Sequence, residues 1–520
     1  MKLEKILLKD THAFDQFFID YVEEKETLRP FYHRFPRIDQ FGEQIREKKA
    51  SFPDATRTLL SKCLTNQYGS LDTTDKVKAN IAALADANTF TITTGHQLNI
   101  FTGPLYFIYK IVTVINTAKK LKETYPEYNF VPVYWMASED HDYDEIKSFR
   151  LYGKKYEWKT RQKGAVGRFS PNGLATLLDE IPGETTIFRK AYTGSETLAD
   201  ATRHYVNALF GEEGLVVVDP DDGDLKTALA GVMREDIFNN VNKRCVDKTS
   251  KALEDLGYKT QVFCRDINFF YLDDNLRARI VKEGDQFKVL DTDLRFSQAE
   301  LEDLIANHPE KFSPNVILRP LYQELILPNI AYVGGPAEVI YWLQLKEIFD
   351  QCGVPFPILL PRNFALVVDH EVLRKIQKTG LQLKDVFEEK NYLFNHWVLA
   401  HSPRNLTIGS ERTNINDIFT NLTTRAESVD KTLAPFVGAE GKRVLNSLEK
   451  IERKMLRAEK RLHADKLRQI EFVKDALFPN GKLQERTDNF LNFQQQHPEF
   501  VRKLIEVLDP LDLRFNVLMI

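Results

Sequence analysis

Cysteine is scarce in this chain. The four present among 520 residues, Cys63, Cys245, Cys264 and Cys352, stand singly with no CxxC pair, which argues against a zinc knuckle and a disulfide framework. A reducing, cytoplasmic setting is the expectation. An excess of charge of one sign is also lacking: 71 Lys and Arg oppose 75 Asp and Glu, for a net charge of −4, so no basic field favours nucleic acid or an anionic membrane. No unbroken apolar run approaches bilayer length, and charges interrupt the opening MKLEKILLKDTHAF, so membrane insertion and export are not expected. What these absences leave is a chain long enough for two or three units, with a small molecule as the expected partner.

The densest chemistry lies between Thr89 and Glu145. Thr89 to Thr94 (TFTITT) is β-branched and aromatic, as a buried strand prefers, and it runs straight into Gly95, His96 and Gln97. A loop with Asn99, Thr102, Gly103 and Pro104 follows, and then a helical apolar face through Leu105, Ile108, Val112, Ile115 and Ala118. Phe130 to Met136 (FVPVYWM) reads as the next buried strand. It opens into Glu139, Asp140, His141, Asp142, Asp144 and Glu145. In a βαβ unit both strands are parallel, so both loops emerge at the carboxyl edge of the sheet, where α/β proteins bind ligands. The first offers backbone amides at a helix N-terminus, an imidazole and an amide side chain, and the second carboxylates and another imidazole. Each alone is an ordinary turn or a helix cap. Together at adjacent strand ends they favour a site.

Upstream, residues 1–88 read as a helical packing segment broken at Pro30, Pro36, Pro53 and around Gly69-Ser70. The core, 89–375, is expected to carry small inserted subdomains at about 147–192 and 258–312, with further strands at Gly214 to Asp219, Pro314 to Pro320, Asn329 to Val333 and Pro357 to Leu360. Short strands are expected near Tyr152 to Trp158 and Val166 to Phe169, and again at Gln261 to Phe263, Phe269 to Leu272 and Phe287 to Leu290. Asp219, Asp221 and Asp222 lie at the same edge or form a turn. Arg319, Gln323 and Glu324 open a helix, and Gly334 and Gly335 can present amide donors while Glu338, Tyr341 and Trp342 line a face; Tyr341 and Trp342 suit a core equally well. Arg362 can fork onto a phosphate or carboxylate, or pair within the protein. Residues 376–520 read as helical. Val444, Leu448, Ile451, Met455, Ala458 and Leu462 alternate four and three apart, a coiled-coil seam within about 440–477 that continues loosely through Leu467, Ile470, Val473 and Leu477. Its partner is either the helix at Ile415 to Leu433 or a second copy in a homodimer.

The ordered set TTGHQLNIFTGPLYFIYKI, SEDHDYDEI, RPLYQELILPNIAYVGGPAEVIYW and LLPRN, followed by a coiled coil, resembles the bacillithiol biosynthesis cysteine-adding enzymes along essentially the whole chain. The resemblance implies an α/β fold, with a Rossmann-like parallel sheet core, small inserted subdomains and a C-terminal helical coiled coil. The implied activity is a ligase that joins L-cysteine to glucosaminyl-malate, the last step of bacillithiol biosynthesis. Of the paired-histidine signature of class I activating enzymes only His96 is present, and no KMSKS-type loop follows the last strand. Amide formation requires an activated carboxyl, most simply from ATP with Mg²⁺. On that scheme Gly95 and His96 hold phosphates, Gln97 orients a substrate oxygen, and Asp140, His141 and Asp142 transfer a proton or bind Mg²⁺ or an ammonium. Asn99, Thr102, Gly103, Glu139, Arg319, Gln323, Glu324, Gly334, Gly335, Glu338, Tyr341, Trp342 and Arg362 complete the substrate or nucleotide contacts. Carboxylates beside His141 should favour its protonated form. Two other classes compete: a nucleotide- or sugar-phosphate-binding interaction module without catalysis, and a metal-dependent hydrolase built on Asp140, His141 and Asp142.

Overall fold

Thr89–His96 (β1) is buried along its whole length, and His96 at its end is its one ionisable side chain. It pairs in parallel with Asn129–Met136 (β2), in unbroken register from Thr89 opposite Asn129 to His96 opposite Met136. Val216–Val218 (β3) extends the sheet beyond β2, while Asn329–Gly334 (β4) and Ile358–Pro361 (β5) extend it beyond β1, all parallel. The order across the five strands is β5-β4-β1-β2-β3. Helix Tyr106–Thr124 (α1) makes the crossover from β1 to β2 and packs on both. A computed structural model supplies these coordinates; it describes residues 1–69 and 71–520, and Ser70, within the break expected at Gly69-Ser70, lies outside the described residues.

The chain divides into two compact units, one of Met1–Lys9, Ala13–Leu366 and Lys482–Leu518, the other of Asp10–His12, Val367–Gly481 and Met519–Ile520. The first holds the parallel sheet and both insertions. In the earlier insertion Ser148–Leu151 and Lys154–Glu157 form a hairpin that turns at Tyr152-Gly153, so the strand expected near Tyr152 to Trp158 begins only at Lys154, and Val166–Arg168 is a 3-10 turn rather than strand. The later insertion is an antiparallel sheet around Phe269–Asp273 and Leu276–Glu283. Two expectations fail there. Gln261 to Phe263 is irregular loop, and Phe312–Pro314 pairs antiparallel with the inserted strand at Phe269 to Tyr271 instead of joining the core. Apolar content alone does not say which sheet a short run completes.

Buried hydroxyls on β1 need acceptors, and β4 supplies them to Thr91, Thr93 and Thr94. Thr91 and Thr93 donate to Asn329 Oδ1 at 3.2 and 2.8 Å. Asn329 Nδ2 donates to Glu324 Oε1 at 2.6 Å, Gln323 Nε2 donates to the same oxygen at 3.0 Å, and Lys48 pairs with Glu324 Oε2 at 3.0 Å. Gln323 and Glu324, on helix Arg319–Ile326 (α2), were expected at a ligand site. They are instead the centre of a buried relay that satisfies β1 and β4, the strand that helix Pro336–Leu343 (α3) follows.

In the second unit, Gly409–Val429 (α4) and Ala434–Leu462 (α5) pack as an antiparallel hairpin. Arg412 faces Glu449 near one end, and at Gly441 a side chain would meet the Phe419 ring within 2.9 Å. This chain therefore contains the intramolecular partner expected of the seam. The seam itself is not strict: Ile451 is 51% and Leu462 68% exposed, because α5 turns Met455 and Leu456 toward a cluster of Leu393, Trp397 and Ile470 rather than keeping one stripe. Ala464–Leu477 (α6) buries Leu467, Ile470, Val473 and Leu477 as its spacing indicated.

Replacing Glu324 by Ala leaves the Lys48 ammonium buried without a partner. Urea denaturation should show a loss of about 3–5 kcal/mol, with Glu324→Gln less damaging.

Candidate functional site

The loops after β1 and β2 meet. Gln97 Nε2 donates to Asp140 Oδ2 at 2.6 Å and reaches Glu145 Oε2 at 3.4 Å. They open onto a cavity of about 630 Å³ lined by Gly95, His96, Gln97, Glu139, Asp140, Glu145, Arg319, Glu338 and Tyr341, with Tyr106, Trp135, Arg265, Arg277 and Tyr332 completing much of the wall.

His96 is 8% exposed, its ring between Tyr106 and Phe107 at 5.3 and 5.2 Å. The Gln97 amide donates to His96 Nδ1 at 2.8 Å, so the neutral ring carries its proton on Nε2. That atom is buried with no partner among the described residues. Burial, followed by the charges of Lys110 and Arg362, holds the imidazole well below its ordinary pKa. Arg319 is the other unspent donor. Its Nη1 donates to Gln323 at 3.2 Å, the guanidinium stands 5.4 Å from the Tyr332 ring centre and 5.8 Å from that of Trp135, and Nη2 is buried without a hydrogen-bond partner among the described residues. A Cβ at position 95 would lie 3.2 Å from Arg319 Nη1, so glycine there leaves room for the fork.

The acidic side is equally defined. Asp140 Oδ1 accepts from the amides of His141 and Asp142 at 2.7 and 3.3 Å. Glu145 has its pKa raised, first by burial and then by Asp140 and Asp142, which makes it more basic than an ordinary glutamate. Gln97 Oε1 is a buried acceptor with no hydrogen-bond partner among the described residues. Glu338 pairs with Lys110 at 2.6 Å, and Lys110 also donates to the Gly95 carbonyl at 2.8 Å. Glu139 lines the cavity but faces Lys226 at 2.8 Å, which also pairs with Asp221 at 3.0 Å; Asp221 in turn holds Arg168. Asp219 accepts from Ser138, and Asp222 caps a short helix.

Other expected residues lie elsewhere. Arg277 Nη1 stands 2.7 Å from His141 Nδ1, and because a guanidinium only donates, His141 is an acceptor there. Burial, then Arg277, pushes its pKa down against Asp140 and Asp142, so the protonated imidazole expected from its carboxylate neighbours is corrected. Asp142 caps the helix Tyr143–Ile146. Asn99 donates to the Glu145 carbonyl at 2.8 Å, and Thr102 and Gly103, at φ 67° and 63°, belong to a tight turn in which a Cβ on Gly103 would fall 2.5 Å from Asn99. Asn489 Nδ2 donates to the carbonyls of Phe101 and Gly103 at 2.7 Å each. Trp342 is core, stacked on Tyr332 at 4.4 Å. Arg362 spends its fork on Glu485, at 2.6 and 2.9 Å.

The glycine loops do not fit a triphosphate. Such a group needs converging free amides at a helix N-terminus. The Gly334 carbonyl accepts from the Arg362 amide, Gly335 donates its own N–H to Glu338 at 2.8 Å, and Leu105 donates to the Asp488 carbonyl at 2.7 Å. Nor do Asp140, His141 and Asp142 fit Mg²⁺, since Arg277 occupies the imidazole lone pair and Asp142 is a cap; among the described residues no three His, Cys, Asp or Glu converge as ligands. That arrangement gives no support to a metal-dependent hydrolase.

Residues 1–363 match the profile of the bacillithiol biosynthesis BshC N-terminal Rossmann-like domain, and residues 365–520 that of its C-terminal coiled-coil domain. The chain belongs to the BshC family. Relatives bearing a cysteine-ligase name, BshC, include that of Flavobacterium johnsoniae, 41% identical with 100% of each chain covered. Those of Cytophaga hutchinsonii, 41% identical with 99% of this chain and 98% of the relative covered, and Salinibacter ruber, 30% identical with 93% and 92% covered, are similar at greater or equal distance. The family's Rossmann-like core is the parallel sheet, yet Glu485, within the C-terminal match, folds with the sheet's own unit.

Arg277 and Arg265 were missed because they lie in the second insertion, where an arginine on a short strand or loop looks like solvated surface. Tyr106 and Trp135 were absorbed into apolar patterns. His96 supplies a test. Its folded pKa is depressed, so the unfolded chain binds the proton at higher pH; the resulting stability is present above the ordinary histidine pKa and is lost as pH falls below it, by up to about 1.4 kcal/mol per pH unit. Urea melts of His96→Gln between about pH 5 and 7 should show a shallower slope than wild type.

Proposed function

We propose that this chain is a ligase that joins the carboxyl of L-cysteine to the amine of glucosaminyl-malate, completing bacillithiol in the cytoplasm. One observation carries the reading. Two unspent donors, His96 Nε2 and Arg319 Nη2, share a single cavity with the carboxylate pair Asp140 and Glu145, so a substrate bearing both carboxylates and an amine finds a partner for each.

As the new C–N bond forms, the neutral amine gives up one proton and the C–O bond of the carboxylic acid breaks. Its hydroxyl leaves with the electron pair and departs as water when that proton is passed on to it from Glu145. Glu145, made more basic by burial, takes the proton, and Asp140 holds Gln97 so that its free Oε1 accepts from the amine or a sugar hydroxyl. His96, a neutral donor, stabilises negative charge developing on the carboxyl oxygen without losing its own proton. Arg319 binds a substrate carboxylate through its free nitrogen. Self-association through the helical hairpin fits its exposed Val429, Phe436 and Leu462.

Purified protein with cysteine and glucosaminyl-malate, with and without ATP, should yield the cysteine-dependent amide by mass spectrometry in at least one condition. No product in either would refute the ligase reading. Glu145→Gln should lower turnover by about 100-fold or more while leaving the melting temperature near that of wild type, since the side chain is exposed on one side.

A further inference from the structure

One cation on the cavity wall has no role in the reaction as drawn. Arg265 lines the cavity, is exposed, and its guanidinium makes no hydrogen bond or ion pair among the described residues. Its neighbour Asp266 is taken by Lys243 at 2.6 Å. A free arginine on a loop is ordinarily solvated surface, but this loop is built. Asn268 Oδ1 accepts from the Arg265 amide at 3.0 Å, and Asn268 Nδ2 donates to the Arg265 carbonyl at 2.9 Å. Asn268 is itself fixed by buried Asp236, which accepts from its side chain at 2.9 Å, and by Asn315, which donates to it at 3.0 Å. On the other flank Gln344 Oε1 accepts from the amides of Gln261 and Val262 at 2.7 and 3.1 Å. A segment with neither helix nor strand is thus clamped at both ends, with an unspent cation and the 82% exposed Phe263 between the clamps.

The substrate chemistry asks for such a group. A malyl ether carries two free carboxylates, and Arg319 has one unspent nitrogen for one of them. Arg277 is less available for the other, because each of its three nitrogens already donates, to Ser313 Oγ at 3.1 Å, His141 Nδ1 at 2.7 Å and the Pro314 carbonyl at 3.1 Å, and its side chain is only 7% exposed. We infer that Arg265 is a specificity-determining residue that holds the second carboxylate of the malyl group while Arg319 holds the first. This rests on the glucosaminyl-malate reading above. The sugar lies between the arginines and the Asp140 and Glu145 pair, and Phe263 covers apolar carbon at the mouth.

Calorimetric titration of the full chain with glucosaminyl-malate, and with methyl glucosaminide, which lacks both carboxylates, tests the assignment. Wild type should bind glucosaminyl-malate the more tightly, and Arg265→Gln, which keeps both backbone anchors, should weaken that binding by about tenfold or more while leaving methyl glucosaminide and cysteine unchanged. Unchanged affinity of Arg265→Gln for glucosaminyl-malate, or equal weakening of both sugars, overturns the role of Arg265 alone. Failure of wild type to bind glucosaminyl-malate overturns the substrate reading, and this inference with it.

Discussion

The hydrogen bond from Gln97 to Asp140 is what the candidate site depends on. It exists because β1 and β2 are parallel and in register to their last residues, so that His96 and Met136 end side by side and the loops beyond them must share one edge. A crossover helix between the strands makes that arrangement, since parallel neighbours cannot be joined by a tight turn. With the loops tied together, an imidazole, an amide and two carboxylates occupy a space that none of them would enclose alone.

Around that bond the protein uses most of its buried charge against itself. Lys48 with Glu324, Lys110 with Glu338, Lys226 with Glu139 and Asp221, and Arg362 with Glu485 are internal pairs. Buried ions are tolerated only when paired, so these residues were unavailable to a ligand from the moment the core closed. The donors that stayed unspent are therefore informative. Arg319 is cushioned by Trp135 and Tyr332 and donates to the neutral Gln323, and His96 is kept neutral by burial and nearby cations. Both suit a ligand that brings its own negative charge.

The inserted antiparallel sheet is more than an appendage to the core. Through Arg277 it sets which nitrogen of His141 carries the proton, and through the clamped loop at Arg265 it adds a cation to a cavity whose floor belongs to the parallel sheet. Both arginines come from a stretch with little periodicity, held by contacts to residues distant in the chain. Neither could be distinguished in sequence from solvated surface.

The five core strands, the crossover helix and α6 were readable in the sequence because each rests on local periodicity: continuous apolar runs for strands buried on both faces, and three-four spacing for helices; the short strands of the insertions, where three expectations fail, have no such pattern. The pairing of the His96 and Asp140 loops was readable too, because parallel topology leaves their strand ends no other edge. Tertiary structure alone decided what each polar side chain was free to do. Arg319 and Arg362 look alike in the sequence, yet one ends beside aromatic rings with a nitrogen to spare and the other meets Glu485, far along the chain. Pairing in space depends on which distant carboxylate the fold delivers, and no local pattern encodes that distance.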